Sequence, residues 1–118
     1  MAEIINIPSF NDIRGDLFVI EKFLSFEIKR IYFIKNGNGI RGGHKHKKTY
    51  QALVCAEGSC IVSVKKGNET YEFVLDEPSK CLLLEPNDWH EMYEFSKNSI
   101  LLVIASEYYD KDDYIDII

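Results

Sequence analysis

Apolar residues in this chain come in short runs, many alternating with a period of two, and sustained helical periods are few. The pattern predicts strands over Ile4–Ile7, Leu17–Phe23, Ile28–Ile34, Thr49–Cys55, Ser59–Lys65, Thr70–Leu75, Lys80–Leu84 and Ser99–Ser106. Gly67-Asn68 and Glu57-Gly58 have the composition of two-residue hairpin turns. Pro78 and Pro86 fall at loop or strand-start positions, where a missing N–H does least harm. In Ser59–Lys65, Cys60, Val62 and Val64 share one face and Ile61 lies on the other. Neither face is wholly polar, which suits two packed layers better than a single solvated sheet. Short strands separated by turns about every ten residues predict an all-β fold, a small antiparallel barrel or jelly roll, as one domain over 1–118. Only the tail, Tyr108 to Ile115, breaks the pattern; it reads as an acidic loop or short helix packed at an edge.

Composition narrows the function. A chain of 118 residues with 46% hydrophobic and 28% charged residues can bury a core of its own, which excludes a disordered or disulfide-stapled design. A net charge of −5 argues against a nucleic-acid partner. The longest apolar run, Ile100 to Ala105, is far short of the ~20 residues of a membrane span. Without a basic, apolar leader pattern at its start, the chain is expected in the cytoplasm. Cys55, Cys60 and Cys81 lie in apolar segments and read as reduced core residues, Cys55 and Cys60 facing one another across the Glu57-Gly58 turn.

The polar chemistry concentrates in two stretches, Ile40-Arg41-Gly42-Gly43-His44-Lys45-His46-Lys47-Lys48 and Pro86-Asn87-Asp88-Trp89-His90-Glu91-Met92, which hold all three histidines. On a strand, His44 and His46 project from one face with Cβ atoms roughly 6.6 Å apart. That spacing serves two ligands of one metal, or two proton-transfer groups at neighbouring carbons of a sugar. Residues 41–48 carry four cations and no acid, so the rest of the chain carries −9. A local basic strip in an acidic protein favours a small anionic ligand, with Lys45 and Lys47 left to the opposite, solvated face. The bland alternative is two chance histidines on a strand whose lysines discourage edge pairing.

A glycine-rich approach to His44-x-His46, a Glu-Gly turn, and then a proline and a third histidine resemble the double motif of the cupins. That resemblance implies a double-stranded β-helix. Metal-binding cupins add a Glu, but the positions four and five beyond His46 are Tyr50 and Gln51. Longer matches are Arg14-Gly15-Asp16-Leu17, Ile28-Lys29-Arg30-Ile31-Tyr32, Arg41-Gly42-Gly43-His44-Lys45-His46-Lys47-Lys48, Trp89-His90-Glu91-Met92 and Ala105-Ser106-Glu107-Tyr108-Tyr109-Asp110. These resemble the nucleotide-sugar 3,4-ketoisomerases, which convert dTDP-4-keto-6-deoxyglucose to a 3-keto isomer on the way to 3-amino-3,6-dideoxy sugars. The resemblance implies acid–base catalysis by His44 and His46 with Tyr32, and substrate binding by Arg41, Arg30, Lys48, His90 and Trp89. It further implies no metal and no other cofactor, and a homodimer with exchanged N-terminal strands, for which apolar Ile4-Ile5-Asn6-Ile7 is the candidate. Two other readings remain at this level: a metal-dependent cupin enzyme using His44, His46 and His90, and a non-catalytic nucleotide-sugar-binding cupin.

Overall fold

The computed structural model describes residues 1–118 and contains twelve short strands and one 3-10 turn. They are β1 (Glu3–Asn6), β2 (Ser9–Asp12), β3 (Gly15–Phe18), β4 (Arg30–Lys35), β5 (Arg41–His46), β6 (Gln51–Glu57), β7 (Cys60–Lys66), β8 (Glu69–Leu75), β9 (Lys80–Leu84), β10 (Trp89–Tyr93), β11 (Ile100–Ala105) and β12 (Tyr114–Ile115). Two five-stranded antiparallel sheets, in the orders β1-β9-β6-β11-β4 and β12-β5-β10-β7-β8, face each other as the jelly roll expected from the sequence. Apart from these, β2 and β3 form a separate hairpin.

Alternation builds the core between the sheets. Leu53, Cys55, Cys60, Val62, Val64, Leu82, Leu101 and Val103 fill it, each fully or almost fully buried. The expected inward face of Ser59–Lys65 is therefore the observed one, and Gly67-Asn68 closes the β7–β8 hairpin with Gly67 at φ +62°. Glu57-Gly58 corrects the other hairpin expectation. β6 pairs with β9 and β11 while β7 pairs with β8 and β10, so the turn carries the chain from one sheet to the other. Cys55 and Cys60 still approach, across the inter-sheet core rather than across a ladder, and all three cysteines are free and buried.

A second, smaller apolar cluster lies around Ile7, Ala52, Val54, Cys81 and Ile104. Most of its cover comes from the end of β3, Phe18, and the segment that follows it, which contributes Ile20, Phe23, Leu24 and Phe26. This corrects the strand expected over Leu17–Phe23. Pairing stops at Phe18, Lys22 turns through φ +65°, and the side chains are used for packing instead of a ladder. The sequence pattern also leaves β2, β5, β10 and β12 outside the expected strands, although His44 and His46 are read as if on one. Trp-His-Glu-Met in β10 does not alternate apolar with polar, and two-residue β12 exists only through its partner β5.

The N-terminal strand finds a ladder partner within the chain. β1 pairs with β9 of its own chain, with Ile4 opposite Leu82 and Ile5 opposite Cys81, and Ile7 donates its N–H to Ser79 O at 2.8 Å. Its ladder groups and apolar side chains are thus matched on the edge of the first sheet, the position an expected exchanged strand would also fill.

Candidate active site

The inner face of the second sheet converges on a cleft of about 340 Å³ lined by Arg30, Tyr32, Ile34, Arg41, Gly42, His44, His90, Met92 and Tyr114. β4 supplies its wall by simple alternation: Arg30, Tyr32 and Ile34 turn inward while Ile31 and Phe33 point out. β5 does not follow simple alternation, and its departure matters. His44 lies opposite His90, Gly42 opposite Glu91 and Arg41 opposite Met92, so one extra residue, Gly43, is accommodated in β5. Strict period two would put Arg41 on the face opposite His44. The bulge turns it back into the cleft. Gly42 and Gly43 take φ +85° and +79°, and a Cβ on Gly42 would stand 2.9 Å from His90 O. The Gly-Gly pair is thus a backbone requirement of the cleft.

The three imidazoles stand together. His44 lies with its centroid 5.0 Å from His46 and 5.1 Å from His90, edge-on to both. His90 is anchored through Nδ1 to Asp88 O at 2.9 Å, within a turn closed by Asp88 N–H to Glu85 O at 3.0 Å. His46 N–H donates to Pro86 O at 2.8 Å, which ties the end of β5 to the same turn. His46 Nδ1 meets Asp113 Oδ2 at 2.9 Å, and its Nε2 is buried with no partner. Burial holds all three below the usual histidine value, His90 down to about 4, so each ring is neutral at pH 7. For His44 the neighbouring His46 adds to the effect; for His46 the Asp113 carboxylate partly offsets it.

The phenol of Tyr32 accepts from Gln51 Nε2 at 3.3 Å, and burial pushes its pKa up, so it stays a donor. Arg30 lies over the rings of Tyr32 and Tyr109, at 5.2 and 5.7 Å, and reaches Tyr114 Oη at 3.5 Å. The structure therefore brings together six of the expected residues: His44, His46, His90, Tyr32, Arg30 and Arg41.

Two are not brought there. Trp89 faces away from the cleft, with its indole N–H on Asp116 O at 3.1 Å and Lys65 Nζ 5.0 Å from its ring centroid, and its role is packing of the C-terminal segment. Lys48 points to solvent, with Nζ 3.9 Å from Asp110; it follows the buried end of β5, where its backbone N–H rather than its ammonium is used. Sequence reasoning missed Asp113 and Tyr114. Tyr114 packs edge-on against both His44 and His46, at 4.6 Å each, because β12 pairs it opposite His46 and so turns it to the same face. The acidic tail is expected as a loop or short helix packed at an edge, which the 3-10 turn and edge strand β12 bear out; which of its side chains reach the histidines was not visible.

The ligating nitrogens of His44, His46 and His90 lie within 4.8 Å of one another, so three neutral imidazoles are available to a transition-metal ion. No carboxylate joins that group. Asp113 spends its oxygens on His46, Thr49 and the Lys48 N–H, and Gln51 offers an amide. The set fits proton transfer as it stands: neutral bases beside a protonated phenol and two guanidinium groups. A larger depression of about 580 Å³, between the Gly37–Ile40 loop and the outer face of the second sheet, contains none of the histidines.

Known proteins share this sequence pattern and fold. The family described as FdtA, WxcM-like, C-terminal matches residues 1–117. The TDP-4-oxo-6-deoxy-alpha-D-glucose-3,4-oxoisomerase of Aneurinibacillus thermoaerophilus is 45% identical over 117 residues, covering 96% of this chain and 84% of that protein. The QdtA 3,4-ketoisomerase of Thermoanaerobacterium thermosaccharolyticum, in a doubly substituted form with TDP bound, superposes with a TM-score of 0.94 at 40% identity, covering 98% of this chain and 87% of that one. A histidine-to-asparagine variant of the same enzyme has been solved with TDP-4-keto-6-deoxyglucose. The WlaRB TDP-quinovose 3,4-ketoisomerase of Campylobacter jejuni superposes with a TM-score of 0.92 at 38% identity, covering 98% of this chain and 92% of that one. With its sequence matched almost end to end and its histidine cleft on the matching fold, the chain belongs to the FdtA family and is one of its nucleotide-sugar 3,4-ketoisomerases.

Proposed function

We propose that this member moves the carbonyl of a dTDP-linked 4-keto-6-deoxyhexose from C4 to C3 through an enediol(ate), with side chains alone as catalysts. The C3 proton is acidic because the C4 ketone is adjacent. His44 takes that proton, and the electron pair moves to O4 as the C3–C4 double bond forms. His46 carries the O3 proton toward O4, and a proton delivered to C4 completes the 3-keto product. Tyr32 donates to the developing oxyanion. Arg30 and Arg41 bind the diphosphate, for which the guanidinium fork is suited. His90, neutral and held by its Nδ1, accepts from a sugar hydroxyl.

The observation that carries this reading is the convergence of two neutral imidazoles, His44 and His90, a protonated phenol and two guanidiniums on one cleft, with the third imidazole, His46, packed directly against His44. The sugar nucleotide is supported by the ligands of the related ketoisomerase, TDP and TDP-4-keto-6-deoxyglucose. A 3-keto sugar is the form an aminotransferase would consume, in agreement with a place before 3-amino-3,6-dideoxy sugars of surface glycans, made in the cytoplasm. No helix is long and apolar enough to cross a membrane. The chain acts as a homodimer, supported by apolar residues left facing solvent on β4, Ile31 and Phe33, and on the β2–β3 hairpin, Phe10, Ile13 and Leu17.

Incubation with dTDP-4-keto-6-deoxyglucose in deuterium oxide tests the reaction. NMR is expected to show a 3-keto product with deuterium at C4. A bound but unchanged sugar would make the protein a binding module, and turnover only after adding a divalent ion would make it a metal enzyme.

A further inference from the structure

The Asp113 carboxylate is buried at the end of the C-terminal 3-10 turn, and it has only donors around it. Oδ1 accepts the Lys48 N–H at 2.8 Å, while Oδ2 accepts the Thr49 hydroxyl and meets His46 Nδ1 at 2.9 Å. An ionised carboxylate accepts and cannot donate. Nδ1 of a neutral His46 must therefore carry the proton, and Nε2 must carry the lone pair. That Nε2 is buried and has no partner in the protein, while the ring packs against His44 and Tyr114, both of which line the cleft. The backbone holds the same residue in place, since Lys47 N–H donates to Asp113 O at 2.9 Å.

We propose that Asp113 is a positioning residue for the isomerisation, holding His46 in the Nδ1–H tautomer so that Nε2 meets the substrate as a proton acceptor. This rests on the reading above, in which His46 exchanges protons with the sugar oxygens. The nearly isosteric Asp113→Asn variant isolates the effect. The Lys48 N–H can only donate, so the amide oxygen must face it. The amide NH2 then faces Nδ1, which must accept, and the proton moves to Nε2. Thr49 can rotate its hydroxyl to suit; His46 cannot keep its tautomer.

Long-range proton–nitrogen correlation spectra of protein labelled at histidine, at neutral pH, read the tautomer directly, with His46→Gln identifying the signals. Wild-type His46 is expected with a protonated Nδ1 and a bare Nε2, and Asp113→Asn with the two exchanged. In the same variant kcat is expected to fall roughly 100-fold or more with KM little changed, the mark of an interaction used after binding. An Nε2-protonated His46 in the wild type overturns the proposal without any variant, so a misfolded Asp113→Asn would not rescue it. Wild-type turnover by a folded Asp113→Asn overturns it too. A wild type with the expected tautomer but no turnover of the sugar nucleotide would instead overturn the ketoisomerase reading, and with it the role.

Discussion

Two peripheral elements of this chain make an instructive pair. The β2–β3 hairpin has eight strand residues and a regular ladder, yet Phe10, Ile13 and Leu17 project into solvent and the hairpin joins neither large sheet. At the other end, β12 has two residues and would be meaningless in isolation, yet it is docked beside the histidines on β5. The difference is what each element buries. The C-terminal segment delivers a carboxylate with three donors waiting for it, a phenol ring onto two imidazoles, and a carbonyl to the Trp89 indole. Within one subunit the hairpin delivers its own cross-strand pairs and, at its base, Phe18 to the smaller apolar cluster. A short element is held by buried, fully paired polar groups; a longer one that lacks them waits for a second surface.

The comparison is sharpened most strongly at the chemistry beside β12. His44→Asn is expected to lower turnover about 10²–10⁴-fold while TDP affinity, read by calorimetry, stays near wild type, because a base acts in the transition state. Removing residues 112–118 tests the docked segment as a whole. It leaves His46 Nδ1 and the Trp89 N–H without acceptors, and both turnover and the thermal midpoint are expected to drop; an unchanged midpoint would break the comparison. Opening the hairpin's apolar surface, with Phe10→Ser and Leu17→Ser together, is expected to leave the midpoint of the subunit fold little altered while sedimentation equilibrium shifts from dimer toward monomer. A wild type that is already monomeric would show that the hairpin waits for nothing.

Smaller effects follow from the neutral histidines. Because burial lowers the His44 pKa, its base form persists below the pH at which a free histidine is half protonated. The acid limb of kcat/KM is therefore expected to fall below about 6.5. A limb above that value would mean that the group is not buried in the free enzyme. Exhaustive chelation is expected to change turnover least of all, and activity lost on chelation and restored by one divalent ion would assign the three imidazoles to a metal.

Much of this was legible in the residues themselves. Period-two alternation located most of the large strands to within a few residues, since a two-sheet core imposes the same rule on every inward position. His44-x-His46 put two imidazoles on one face by strand geometry alone, and Tyr32 shares β4 with Arg30 for the same reason. Arg41 was associated with the site by its charge and neighbourhood. Strand parity alone would have pointed it away, and only the bulge at Gly43, set by pairing with β10, turned it in.

What the tertiary structure decided was of one kind: contacts between segments far apart in sequence. Asp113 lies 67 residues from His46, and no local pattern marks one aspartate of an acidic tail as the partner of a buried imidazole. Whether β1 pairs with its own sheet or another's, and whether Glu57-Gly58 closes a ladder or crosses between sheets, likewise depends on which edges are free after collapse. Alternation specifies which face of a strand is buried. It carries no information about which strand lies beside it, because backbone donors and acceptors are the same in every strand, and only packing of the whole selects among them.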